Sequence, residues 1–165
     1  MSESIQGMKR TVYCGEVTDA LVGQEVTVNG WVQRRRDHGS LIFVDLRDRT
    51  GLVQVVFDVE ECGADLFRKA EQVRSEYVLA VRGRLVHRTP EAVNPNIPTG
   101  RFEIRALDLR ILSPAKTPPF YIQDDLDVDE TVRLKYRYLD LRRPEMQRNL
   151  ILRHRVTKAV RAFFH

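Results

Sequence analysis

Three consecutive arginines, Arg34, Arg35 and Arg36, stand just before two short apolar runs, "SLIFVDLRD" and "LVQVVFD". In those runs Ile42, Val44 and Leu46, and then Val53, Val55 and Phe57, fall on one side by strand alternation. Phe43 and Gln54 fall on the opposite, mixed side. An aromatic ring beside an amide can stack an unpaired nucleobase and pair with its edge, because an amide both donates and accepts. Guanidinium groups suit phosphates and guanine edges, and Arg82, Arg84 and Arg88 alternate onto one face of a later run. Glu103, between Arg101 and Arg105, could accept from a guanine amino group.

Each of these residues also has a plainer use. A lone Phe in a strand can belong to a core or a subunit interface, and a surface Gln can be idle. An arginine run at a strand edge discourages strand addition. Pattern alone therefore leaves nucleic acids, sugars and peptides as candidate ligands.

The elements that must position these groups are legible. "EVTVNGWVQRRR" alternates, with Val26, Val28 and Val32 on one side and Thr27, Asn29, Trp31 and Gln33 on the other. It leads through an Asp-His-Gly turn into the second run, and Arg-Thr-Gly leads into the third, predicting an antiparallel meander. "GADLFRKAEQVRSE" has Leu66, Ala70 and Val73 at helical spacing, and "YVLAVRGRLVHR" and "RFEIRALDLRIL" are two more strands, separated by the loop "TPEAVNPNIPTG". The expected fold is mainly β: a five-stranded OB-fold barrel with one bridging helix, then a linker and a C-terminal helical extension. From Ser113 the chain turns Pro-rich and acidic, as a linker crossing a surface would. Pro144 then opens a helical pattern whose Leu152, Val156, Val160 and Phe163 form a stripe with no evident partner, so the chain reads as a piece of a longer protein.

At 165 residues with 42% hydrophobic and 30% charged side chains, the composition is that of a soluble globule, and a net charge of +4 permits a polyanionic partner. Cys14 and Cys62 are isolated and read as reduced thiols of a cytoplasmic protein. No signal peptide, membrane span, zinc motif, P-loop or hydrolase motif is present, so neither a catalytic nor a metal site is expected, and His87, His154 and His165 are read as structural or surface residues.

Together, "GWVQRRRDHGSLIFVDLRDRTGLVQVVF" and "RLKYRYLDLRRPEMQ" closely resemble the bacterial aspartyl-tRNA synthetase family of class IIb, and the resemblance runs from about Met8 onward. Lysyl and asparaginyl synthetases share the architecture but differ in both stretches. The resemblance implies an OB-fold anticodon-binding domain over residues 1–112, a hinge over 113–141, and the start of the class II catalytic domain, with its motif 1 helix, over 142–165. It further implies a parent enzyme that joins L-aspartate to tRNA(Asp), converting ATP to AMP and diphosphate. That enzyme would use ATP and Mg as cofactors, act as a homodimer and bind no membrane. The fragment itself is expected to hold no cofactor and to be inactive, because the ATP and aspartate site would lie beyond it.

Position by position, the resemblance makes Phe43 the aromatic that stacks on the middle anticodon base, a uracil, and Gln54 its hydrogen-bonding partner. Arg36, with Arg34 and Arg35 nearby, becomes the basic cluster that grips the anticodon loop. Arg88 and Glu103 become readers of the first base, a guanine. His38 fills the variable slot of the "RRRD-x-GS" turn near the third base. A polar histidine there can meet C or U, which points to relaxed specificity with tRNA(Asn) as a second partner. The alternative function is a stand-alone OB-fold protein that binds single-stranded nucleic acid. A structural module whose Phe43 face binds protein is a third.

Overall fold

The computed structural model describes residues 2–164 and divides into two compact units, the first ending at Thr117 and the second starting at Pro118. His165 lies outside the described residues.

In the first unit, β1 (Glu25–His38), β2 (Leu41–Arg47), β3 (Leu52–Asp58), β4 (Val78–His87) and β5 (Phe102–Ser113) form a closed barrel in the order β1-β2-β3-β5-β4. All neighbours are antiparallel except β3 and β5. The expected meander and the OB-fold are therefore present. Alternation explains the filling: Val28, Val32, Ile42, Val44, Leu46, Val53, Val55 and Phe57 are wholly buried inside the barrel. Gly83 is required by close packing, since a Cβ there would lie 2.2 Å from the Arg105 carbonyl oxygen.

Two irregularities set which side chains face outward. The β1–β2 register shifts between Val32 and Arg34, passing over Gln33. Before the shift the even-numbered residues of β1 face inward. After it Arg34, Arg36 and His38 stand opposite Asp45, Phe43 and Leu41 on the outer face, as a β-bulge allows. The β4–β5 register shifts likewise between Arg82 and Gly83, passing over Leu107, and leaves Ile104 and Phe102 inward with Glu103 and Arg105 outward.

β1 also runs further than expected. His38 is its last residue, and the turn is made by Gly39, at φ +70°, and Ser40. The bridging helix is shorter than its pattern predicts: α1 (Val59–Cys62), capped by the Asp58 carboxylate on the Glu60 N–H, gives way to α2 (Ala64–Glu71) at Gly63. Phe67 and Ala70 of α2, with Val73 just beyond it, close the barrel core.

The second unit contains α3 (Glu130–Lys135), α4 (Arg137–Asp140) and α5 (Pro144–Phe164). The Pro-rich stretch read as a surface linker supplies a small core here, since Phe120 and Ile122 bury against Leu139. Asp140 is fully buried and accepts from Arg133 Nε (3.0 Å), Arg137 Nη1 (2.9 Å) and Arg143 Nη1 (3.0 Å). Pro144 occupies the first helical position of α5, and Leu152, Val156, Val160 and Phe163 are exposed along it. Among the described residues no helix is long and apolar enough to cross a membrane.

Candidate nucleic-acid interface

The outer face shared by β1, β2, β3 and β5 gathers most of the residues singled out by chemistry. Phe43 is half-buried there and meets the His38 ring edge-on at 5.6 Å, while the Arg36 guanidinium lies 6.0 Å from the Phe43 ring centre. Arg36 Nη2 donates to Asp45 Oδ1 at 2.8 Å and to Gln54 Oε1 at 3.2 Å. Gln54 Nε2 donates to Glu103 Oε2 at 3.0 Å, and Arg105 Nε holds the other carboxylate oxygen at 2.9 Å. The result is one polar chain, Asp45–Arg36–Gln54–Glu103–Arg105, laid across four strands beside an aromatic ring.

Arg88 follows directly on β4 and leaves the row of Arg82 and Arg84. Its Nε donates to the Phe102 carbonyl at 2.9 Å and its Nη1 to the Ala92 carbonyl at 3.4 Å. The residue is 9% exposed, and its buried Nη2 has no hydrogen-bond partner among the described residues. Burial pushes the Arg88 guanidinium down from its ordinary range, against the nearby carboxylates of Glu103 and Asp45. Burial in turn pushes the Asp45 carboxyl up, opposed by Arg36, Arg88 and Arg34. Arg88 thus retains one donor with unused hydrogen-bonding capacity.

The arginine run is split. Arg34 is exposed on the outer face and Arg36 is tied to Asp45 and Gln54, whereas Arg35 stands opposite Val44 and turns to Asp37 at 2.6 Å. Arg82 is occupied by Glu25 and Asp108, both at 3.6 Å, so it does not extend the Arg88 site. His87 lies 3.5 Å from Asp19 and stacks on Phe102, and His154 is exposed on α5. Sequence reasoning missed Asp45 and Arg105 as partners of the site. Each lies two residues beyond a chosen residue on the same strand face, so alternation alone could have nominated both.

The geometry sets an aromatic ring beside a connected row of donors and acceptors, and comparison with known proteins places the chain among similar folds. A family model described as an OB-fold nucleic acid binding domain matches residues 26–112. The chain belongs to this OB-fold nucleic-acid-binding family. Beyond the OB-fold, residues 129–165 match the model for class II tRNA synthetases (D, K and N). The chain is 99% identical over 157 residues to an aspartate–tRNA(Asp/Asn) ligase of Symbiobacterium thermophilum, covering 95% of this chain and 26% of that protein. It is 62% identical over 162 residues to the aspartate–tRNA(Asp/Asn) ligase of Moorella thermoacetica, covering 98% of this chain and 26% of that one. The chain thus spans about a quarter of the length of these relatives. Among solved structures, asparaginyl-tRNA synthetase from Pyrococcus horikoshii with asparaginyl-adenylate superposes with a TM-score of 0.78 at 27% identity, covering 94% of this chain and 34% of that one. An OBody bound to hen egg-white lysozyme superposes on the OB-fold with a TM-score of 0.58 at 28% identity, covering 65% of this chain and 96% of that one.

Proposed function

We propose that this chain is the anticodon-recognition part of an aspartate–tRNA ligase of the relaxed Asp/Asn type. The observation that carries the reading is the buried Arg88 Nη2 without a partner, set near Glu103 on the face that presents Phe43 and Gln54. A guanine fits that pair, since Arg88 can donate to O6 or N7 and a carboxylate can accept from the base's N–H groups. Phe43 offers a stacking surface for the next base, a uracil, and Gln54 pairs with its edge. Arg34 supplies a cation for the phosphates of the loop, which positions without specifying.

The parent enzyme forms aspartyl-tRNA from ATP, L-aspartate and tRNA(Asp), acts in the cytoplasm as a homodimer, and uses the exposed stripe of α5 in that dimer. Free Cys14 and Cys62 suit the reducing compartment. ATP and Mg serve the parent's activation step. On this reading the residues that hold ATP and Mg belong to the remainder of the parent enzyme. Aspartate-dependent ATP–pyrophosphate exchange by the purified chain should not exceed a buffer blank.

The deciding experiment measures binding of the chain to anticodon stem-loops that carry each of the four middle bases. The loop with U should bind best, and Gln54→Ala should level the four. Equal binding of all four loops by the unaltered chain would favour the stand-alone single-strand binder.

A further inference from the structure

On the reading of Gln54 given above, we infer that Arg36 and Glu103 lock the direction of the Gln54 amide, and that this lock is what separates uracil from cytosine at the middle position.

Gln54 is 7% exposed and Glu103 6% exposed, and both sides of the amide are occupied before any ligand arrives. A guanidinium can only donate and an ionised carboxylate can only accept. The amide oxygen must therefore face Arg36 and the amide nitrogen must face Glu103. A half-turn about the terminal side-chain bond would set NH2 against guanidinium and oxygen against carboxylate, losing both charge-assisted bonds. Asp45 steadies Arg36 at 2.8 Å and Arg105 steadies Glu103 at 2.9 Å, so both ends of the lock are themselves fixed.

After these bonds the amide still has one oxygen lone pair and one N–H to offer. Uracil presents an N3–H donor beside the O4 acceptor. Cytosine presents the reverse order, an N3 acceptor beside an N4 amino donor. An amide free to turn would serve both bases alike, whereas a locked amide serves one of them once the Phe43 ring has fixed the base. Gln54 alone thus supplies pairing capacity, and Arg36 and Glu103, acting as positioning residues, supply the choice.

The test compares binding of stem-loops differing only in a middle U or C. Glu103→Gln replaces an obligate acceptor with a group that can also donate, which removes one of the two constraints on the amide and leaves only the 3.2 Å bond from Arg36. The U:C affinity ratio should fall at least tenfold, about 1.4 kcal/mol, a change in ratio that neither misfolding nor a weakened contact to the first base, which both loops share, can produce. If the unaltered chain shows no U preference, the reading of Gln54 itself fails. If that preference exists and Glu103→Gln preserves the ratio, or weakens both loops equally, the lock alone is overturned. Nitrogen-15 relaxation of Gln54 Nε2 in the free, unaltered protein gives a readout independent of any variant. It should report a rigid group, and a freely turning amide would overturn the inference.

Discussion

Gln54 of β3 and Glu103 of β5 face each other across a pair of parallel strands, and the amide of one donates to the carboxylate of the other at 3.0 Å. The same strand pair brings Arg105 opposite Val56, and Arg105 then folds back onto Glu103. The polar chain on this face therefore depends on how β5 closes the barrel, and Arg36 reaches the same amide from β1.

The split of the arginine run predicts that affinity and selectivity can be separated by mutation. Arg34→Ala should weaken every anticodon loop alike and reduce the slope of log K against log salt by about 0.7, one phosphate contact on a single strand. Arg36→Ala should instead alter base preference, because Arg36 holds Gln54 rather than solvent. Salt titrations of both variants check this, and identical behaviour of the two would contradict the division.

Phe43→Ala should weaken stem-loop binding by about 1–3 kcal/mol, the scale of one base–aromatic stack, while leaving the barrel folded. Phe43 is only half-buried and lies outside the barrel core, so its removal leaves no large internal cavity. Fluorescence titration together with a thermal melt separates the two effects.

His38 ends β1 with its ring edge against Phe43, next to the surface that would receive neighbouring bases. Loops reading GUC and GUU should bind within about tenfold of one another, a gap of ~1.4 kcal/mol. His38→Leu should widen that gap by removing a group able to meet either base. A wild-type preference for GUC beyond about a hundredfold, ~2.7 kcal/mol, would place the parent in the strict class.

Asp48 ties the N-terminal segment to the β2–β3 turn. Its carboxylate accepts from the Cys14 N–H at 2.8 Å, and from the Thr50 N–H at 2.8 Å and hydroxyl at 2.7 Å. Burial pushes the carboxyl up, but these bonds outweigh it and hold the group below its ordinary range. The unfolded chain therefore takes up the proton first. The stabilisation is full above the ordinary Asp value of about 3.9 and is lost as pH falls through the lower folded value. Asp48→Ala should cost about 1–3 kcal/mol at neutral pH by stranding the buried Cys14 N–H. Denaturant melts of both proteins should converge toward pH 2, and a constant gap across that range would exclude the linkage.

Much of this protein was settled locally. The period-two alternation in "LVQVVFD" defined β3 at Leu52–Asp58, and the same rule put Phe43 and Gln54 on one outward face. Parity within a regular strand is a property of neighbouring dihedrals, so the sequence alone suffices for it. In β1 the same alternation, continued past Val32, would point Arg34 and Arg36 inward. Only the shift past Gln33, imposed by pairing with β2, turned those arginines outward beside Phe43. The linker-like stretch that buries Phe120 and Ile122 was likewise hidden, because its partner Leu139 lies beyond α3. Arg36, Gln54 and Glu103 meet because distant strands close a ring, and closure fixes registers that no local propensity encodes.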